Sequence, residues 1–473
     1  MKPATRAVII LGFVSLAPGT FAAGTREPRS SGAVTTARAT VVPGCTTFVD
    51  AATKGGDGSA QKPFATIAAA IDAAEPGAVI CVAEGTYAET LKAGEKPFTL
   101  AGGFQRGQGF KVRDSAAYIS KAVGDGSGAF LRIDDPGPKG KELTAVDGFE
   151  ITGYSRGIVR DFYVSQRFDV TNNFIHGNTC AEEGAAGGGF SLTNVSGTIK
   201  GNVIQNNSCI RGGAGFLNDT TNENSVTIEN NFVDGNSGTE AGAAHGGGLY
   251  FFGNTLTITG NLITNNRVTM WGGGLYIGAY KPGNQPTTAT LSHNVYRGNR
   301  AGDSGAGFFC DDGATCKASH EIYDANCGGN ILVDGGAEGS GPTIATFDHI
   351  TSVNALGPAC DAPGDGAFVD TTEALAADSY SFSNAIFWGN GDKHDLTTSC
   401  NTGCSKLKVK VSNSMMQADN ANLGVKVTMG AGMVAPADPL FVAPDQGDFS
   451  LQPNSPARAK GTSGSDLGAS APK

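Results

Sequence analysis

Short runs in which apolar residues alternate with Thr, Ser or charged residues recur along the chain. Examples are Ser225-Val-Thr-Ile-Glu229, Thr255-Leu-Thr-Ile-Thr259 and Thr288-Ala-Thr-Leu-Ser292. A period of two marks a half-buried strand. No helical period of useful length separates one run from the next. Two phrases punctuate them. The first reads Asn173-Phe-Ile-His-Gly-Asn178, Asn202-Val-Ile-Gln-Asn-Asn207, Asn231-Phe-Val-Asp-Gly-Asn236, Asn261-Leu-Ile-Thr-Asn-Asn266 and Asn294-Val-Tyr-Arg-Gly-Asn299, with starts 29, 29, 30 and 33 residues apart. Asn384-Ala-Ile-Phe-Trp-Gly-Asn390 is a later copy, one residue longer. The second phrase reads Gly187-Gly-Gly-Phe190, Gly213-Ala-Gly-Phe216, Gly246-Gly-Gly-Leu249, Gly272-Gly-Gly-Leu275 and Gly305-Ala-Gly-Phe308.

A unit of two or three short strands cannot bury its own apolar face, but a stack of such units can. The pattern therefore predicts an all-β parallel β-helix solenoid whose coils pair at strand spacing, about 4.8 Å. Phe190, Phe216, Leu249, Leu275 and Phe308 are expected to form one inward column. Asn at the bends tolerates left-handed backbone and can pass its side-chain amide to the next coil. Lys62 to Ala74 has helical apolar spacing, with Pro63 near its start and Pro76-Gly77 beyond its end. A helix there would cap the first coil, since open sheet edges need cover. The expected organisation is a signal peptide (1–22), a flexible segment (23–45), the N-terminal cap and first coil (46–90), the β-helix (91–435), and a C-terminal coil and tail (436–473).

The opening Phe48-Val-Asp50, Asp57-Gly-Ser59, Lys62-Pro-Phe64, Thr66-Ile67, Ile71-Asp-Ala-Ala74, Pro76-Gly77 and Glu84-Gly-Thr-Tyr87 resembles the N-terminal cap of the secreted right-handed parallel β-helix (pectin-lyase-like) superfamily. The end is similar to the terminal coil of bacterial choice-of-anchor β-helix proteins, through Asp438-Pro-Leu-Phe-Val442, Gly447-Asp-Phe449, Leu451-Gln-Pro453, Ser455-Pro-Ala457 and Asp466-Leu-Gly-Ala469. The resemblance implies a right-handed solenoid. It leaves activity open, because that fold hosts lyases, hydrolases, adhesins and structural proteins.

Composition narrows the class. Gly supplies 70 of 473 residues without a Gly-X-Y period, which excludes collagen. A formal charge of −10 argues against a nucleic-acid partner. Lys2 and Arg6, the apolar stretch from Ala7 to Leu16 and Thr20-Phe-Ala22 read as a signal peptide, so the chain is expected to be secreted or held at the cell surface. No later stretch reads as transmembrane, and the protein is expected to be a monomer. Ten cysteines in an exported chain suggest disulfides. Cys310 and Cys316, and Cys400 and Cys404, are close pairs. Cys45 could reach Cys81, and Cys327 and Cys360 lie 33 residues apart. Cys180 and Cys209 each follow the second Asn of a repeat by two residues, so a bond between them would staple two coils.

Equivalent positions on successive coils make surface columns, and chemistry is sought there. The loops Thr179–Ala186 and Ser237–His245 are the longest of their set and are expected to flank a groove with Glu182, Glu183, Glu240 and His245. Aligning the Gly runs gives a column Ala186, Gly212, His245, Trp271, Ser304 and, one residue earlier, Ala185, Arg211, Ala244, Met270, Asp303. Trp271 next to His245 offers a flat apolar face for a sugar ring, with Arg211 as a further substrate-binding candidate; the alternative is a Trp that packs loops together. Arg267 and Arg300 each follow a second Asn and would stack one above the other. An anionic ligand would relieve their repulsion, unless they splay or pair with Asp303. An extracellular polysaccharide or cell-surface glycan is therefore the expected partner. A lyase would neutralise a uronate with Arg267, Arg300 or calcium and use His245 or an Arg as base. A hydrolase would use two carboxylates such as Glu183 with Glu240 or Asp303. An enzyme, with a lyase ahead of a hydrolase, and a non-catalytic adhesin or matrix protein both stay open. Asp311-Asp312 is read as a solvated turn inside a Cys310–Cys316 loop.

Overall fold

The computed structural model describes residues 44–469, apart from 95, 134–139, 162–164, 181–183, 222, 240–243, 279–286, 336–340, 358, 361–363, 376, 391–393, 418–420 and 424. The signal-peptide region therefore lies outside the described residues, and so do Glu182, Glu183 and Glu240. The chain is a right-handed parallel β-helix. Each coil passes through sheet 1 (fourteen strands, Thr47–Val49 to Val427–Met429), sheet 2 (twelve strands, Gly85–Tyr87 to Met415–Met416) and sheet 3 (twelve strands, Leu91–Ala93 to Ala421–Leu423). Between sheets 2 and 3, four coils add a short sheet: Ser208–Cys209, Ser237–Gly238, Arg267–Val268 and Arg300–Ala301. Successive coils pair in parallel throughout, so one residue per coil falls into each column.

The interior follows from the period-two pattern. In sheet 1, Val170, Ile199, Ile228, Ile258, Leu291, Ala318, Phe347, Phe382 and Val411 stack in one buried column. In sheet 3 the inward column is Phe190, Gly215, Leu249, Leu275, Phe308, Ile331, Ala367 and Leu396. Phe216 is not in it. It pairs with Ser191 and Tyr250 and points outward. The coil carries one more small residue than its neighbours, Gly212-Gly-Ala-Gly215, and a one-residue shift turns a strand side chain to the other face. The Phe190 ring fills the space left empty, since a Cβ on Gly215 would lie 2.1 Å from it.

Two asparagine ladders hold the bends, and both are buried. Asn173, Asn202, Asn231, Asn261 and Asn294 form the first; Asn178, Asn207, Asn236, Asn266, Asn299 and Asn326 form the second. Each Oδ1 accepts both the backbone N–H and the Nδ2 of the asparagine one coil earlier. Asn202 illustrates it: N to Asn231 Oδ1 is 3.0 Å, Nδ2 to Asn231 Oδ1 2.9 Å and Nδ2 to Val170 O 2.8 Å. The left-handed positions lie in separate columns just ahead of each ladder: Asn172, Asn230, His293, His320, His349 and Asn384, with φ between 50° and 57°, before the first, and Asn206, Asn265, Ala325 and Asn354, with φ between 52° and 54°, before the second. The three histidines there stack with ring centroids 4.9 and 5.0 Å apart. His, like Asn, tolerates this backbone better than most residues.

Cover at the ends differs from one to the other. A helix, Ile67–Ala73, buries Ile67, Ala70 and Ile71 against the first coil. It starts later than the apolar spacing suggests because Phe64 bridges to Val49. Thr66 Oγ1 accepts the Ala69 N–H (3.2 Å), and the Glu89 carboxylate accepts those of Ile67 and Ala68 (2.9 Å each). At the other end the segment expected to form a final coil does not stack as one. Phe441–Ala443 and Asp448–Leu451 make an antiparallel hairpin, and the chain folds back over the outer face of sheet 2. Phe449 and Ala469 cover Ile322 and Val353, while Ala457 and Leu467 cover Ile386 and Met415. The outward apolar column Val295, Ile322, Thr351, Ile386, Met415 gives this segment its landing surface.

Five disulfides form: Cys45–Cys81, Cys180–Cys209, Cys310–Cys316, Cys327–Cys360 and Cys400–Cys404. Cys180 and Cys209 join successive coils, with Cα atoms 4.7 Å apart. Among the described residues no helix is long and apolar enough to cross a membrane.

Two stability outcomes follow. Asn231→Ala removes the acceptor of two buried N–H groups on Asn202, each costing about 1–3 kcal/mol when unmet. The urea midpoint should fall by the corresponding amount, whereas a change at exposed Thr255 should leave it in place. Glu321 occupies the first ladder above Asn294 and accepts its N–H (3.1 Å). Burial, opposed by its hydrogen bonds to Asn294, pushes its carboxyl pKa from 4.5 up to about 8. An unfolded chain gives up this proton first, so the stability it contributes is complete below pH 4.5 and is lost as the pH rises through about 8. The thermal midpoint of Glu321→Gln should therefore gain on that of the parent between those values; a constant difference would refute the assignment.

Candidate functional site

The outer face of sheet 3 carries two columns whose chemistry changes along the solenoid. The first runs Ser191, Phe216, Tyr250, Tyr276, Phe309, Leu332, Phe368, Thr397. Its rings interlock: Tyr250 to Tyr276 is 4.9 Å and Tyr276 to Phe309 is 5.0 Å between centroids, with Phe252 4.4 Å from Tyr250. The second column, two residues further along each strand, begins with Asn218, Phe252 and Gly278. It then becomes acidic. Asp311 follows Cys310, Asp334 follows Val333 and Asp370 follows Val369, and these three strands are in register. Three carboxylates thus stand on three consecutive coils beside the aromatic row, with Asp312 next in sequence to the first.

Burial sets their protonation. Asp311 is buried and its Oδ2 accepts the phenol O–H of Tyr276. Its pKa lies well above the usual carboxylate range, first through loss of solvent and then through Asp312 and Asp334. Asp334 is pushed up to about 7 by burial, then by Asp370 and Asp312. Burial raises Asp312 as well. Asp312, Asp334 and Asp370 keep part of their surface exposed. Asp370 Oδ1 accepts the Thr371 N–H at 2.9 Å. The reading of Asp311-Asp312 as a solvated turn is therefore corrected: the first of the pair is a buried partner of Tyr276. Among the described residues no cluster of three or more His, Cys, Asp and Glu is arranged to hold a metal ion.

The residues singled out from sequence border this face. His245 and Trp271 are bridged neighbours on adjacent coils, their rings stacked at 5.2 Å, and His245 also stacks on Tyr250 at 5.8 Å. Trp271 is half-buried and packs against the Tyr250–Tyr276 cluster. It thus fills part of the loop-packing role while keeping an exposed edge. Arg211 occupies the position assigned to Gly212. It bridges to Ala186, and the Gly212 N–H donates to His245 O (3.2 Å). The same extra small residue that turned Phe216 outward brought Arg211 into the His245–Trp271 column. Arg267 and Arg300 are in register on the short sheet, both exposed, and neither forms an ion pair among the described residues. Asp303 is exposed and does not pair with them. The cationic pair therefore lies at the corner where sheet 2 gives way to sheet 3, four positions before Trp271 and Ser304, off the acidic column.

Asp334 and Asp370 were missed from sequence. A signal exists in Phe309-Cys-Asp311, Leu332-Val-Asp334 and Phe368-Val-Asp370, three copies of a large apolar residue, a small apolar residue and Asp. They lie where the asparagine phrase degenerates, so coils aligned on that phrase stop short of them.

A family model described as the right-handed beta helix region matches residues 163–345. No curated protein matches the chain in sequence. Among solved structures, the chain is similar to the pectate lyase Pel9A at 14% identity, over 90% of this chain and 96% of that one, with a TM-score of 0.43. It is similar to the pectin methylesterase from Aspergillus niger at 11% identity, over 77% and 87%, with a TM-score of 0.26. A third is the GH136 lacto-N-biosidase from Eubacterium ramulus, at 11% identity over 81% and 68%, with a TM-score of 0.33.

Proposed function

We propose that the outer face of sheet 3 is a glycan groove and that the protein is an extracellular glycoside hydrolase acting on a neutral polysaccharide. The observation that carries this reading is the row Asp311, Asp334, Asp370 beside the aromatic column, with the Asp334 carboxyl pushed up to about 7. Glycosidic cleavage needs one carboxyl that still holds its proton near neutral pH and a second that does not need to. Asp334 serves as the acid that protonates the leaving oxygen. Asp370, one coil away and partly exposed, serves as its partner carboxylate. Adjacent coils lie about 4.8 Å apart at the backbone. That spacing suits the roughly 5–5.5 Å between carboxyls in retaining enzymes better than the wider gap that admits a water in inverting ones. Trp271 and His245, both partly exposed over the buried tyrosine pair, supply flat faces for the sugar rings. Five disulfides suit an exported chain, and we place it outside the cell.

A lyase fits less well. The acidic column would repel a polyuronate, and the exposed arginine pair that could hold one lies off that column. The arginines support a second reading, in which Arg267 and Arg300 bind an acidic glycan without cleaving it, as an adhesin would.

Release of reducing ends from a panel of neutral polysaccharides tests the catalytic reading. Asp334→Asn and Asp370→Asn should each lower the rate by at least about 100-fold, the scale of general acid catalysis. The parent's rate should decline as the pH passes about 7, where Asp334 loses its proton. No reducing ends from any polymer, or full activity in both variants, would remove the hydrolase. For the second reading, the double variant Arg267→Ala, Arg300→Ala should lose salt-sensitive binding on an array of acidic glycans. Unchanged binding would remove the role of the pair.

A further inference from the structure

We propose that the cleft between the folded-back C-terminal hairpin and the outer face of sheet 2 is a second glycan site, separate from the sheet 3 groove, that takes a non-anionic oligosaccharide. The cleft has a volume of about 350 Å³. Its solenoid wall presents Trp388, in register with Val353 one coil earlier, and Asn354 beside it. The hairpin wall presents Phe441, Asp438, Asp445 and Gln452. Trp388 is the second of two tryptophans in the chain and is only half-buried.

The polar atoms left over define the ligand. The Asn354 amide nitrogen is committed to Asp324 (2.9 Å) and that of Gln452 to the Phe441 carbonyl (2.9 Å). Asp438 Oδ1 accepts the Leu440 N–H (2.8 Å), which leaves its second oxygen open. Asp445 is exposed and has no hydrogen bond or ion pair. No Lys, Arg or His lines the cleft. The surroundings therefore accept hydrogen bonds and carry negative charge, next to an indole face. Sugar hydroxyls supply donors, and a pyranose ring supplies an apolar face for the indole. Uronates and phosphorylated ligands are excluded by the two carboxylates. The site stands on the opposite side of a coil corner from the acids of sheet 3, so it does not depend on catalysis there.

The test uses the full chain carrying Trp271→Phe, in which Trp388 is the sole indole, with Asp334→Asn added so that no probe is cleaved. Cellopentaose, a chitosan pentasaccharide and pentagalacturonate are titrated while tryptophan emission is followed. The first or second should give a saturable change and pentagalacturonate none. Trp388→Ala cannot report by fluorescence and is read by calorimetry, where the binding event of the sheet 2 cleft should be lost and only that of the sheet 3 groove should remain. Because Trp388 also packs on the flank, Asp445→Ala is the variant that leaves the fold alone. It should weaken binding by roughly tenfold, the loss of a hydrogen bond to a charged acceptor, with the melting temperature unchanged. No response to either non-anionic sugar, a response only to pentagalacturonate, or equal affinity in Asp445→Ala would overturn the proposal.

Discussion

Every coil of this protein must turn corners, and each corner inside the solenoid leaves backbone N–H and C=O groups without water. The asparagine ladders meet that constraint. A single Asn side chain accepts two N–H groups from the coil before and donates to a carbonyl further back, so three buried polar groups are satisfied per residue. Unmet, each would cost about 1–3 kcal/mol. Because every link contacts only its neighbours, the arrangement extends without limit in one direction and fixes register at every rung. Where the ladders run they set the register of the outer face: Arg267 lies against Arg300 because Asn266 lies against Asn299.

That dependence explains what could be read in advance and what could not. The asparagine phrase recurs in sequence, and two pairs counted from it, Cys180 with Cys209 and Arg267 with Arg300, stand on successive coils as expected. Positions counted from the glycine runs were less secure. Glycine has no side chain to report which face it belongs to, and Gly212-Gly-Ala-Gly215 offers two alignments that differ by one residue. Choosing the wrong one put Phe216 inside and displaced Arg211. Beyond Asn299 the phrase weakens: Glu321 replaces one ladder residue, and in the coil containing Asp370 the same position holds Ile350. The acids of sheet 3 lie in that part. Their alignment depends on strand pairing alone, which short alternating strands do not specify by composition.

The chemistry of the outer face follows from dielectric more than from the number of charges. The chain has a net charge of −10, spread mostly over water. Asp311 and Asp334 differ because burial beside the aromatic row removes their solvent. Carboxylates one coil apart in such a place cannot all ionise at low cost, so protons are retained. Arg267 and Arg300 show the opposite limit. They stack at the same spacing, but both are exposed, so water screens their repulsion.

A solenoid of this kind separates the parts that must stay constant from those free to vary. Inward columns and ladders tolerate little: an inward Gly215 is possible only because the Phe190 ring extends over it. Bend and outward columns tolerate much. Three histidines occupy left-handed positions that hold Asn or Gly elsewhere, and sheet 3 changes from aromatic to acidic between one coil and the next with the backbone pairing unchanged. The interaction energy of an acidic row is unfavourable, and a marginally stable globular domain would be hard pressed to carry it. Here the opposing contribution comes from the buried inward columns and the parallel backbone pairing of the same coils, which are indifferent to what the outer face presents. Placing mutually repelling groups in a shared column is therefore mechanically simple for this fold, and one substitution per coil is enough to build it.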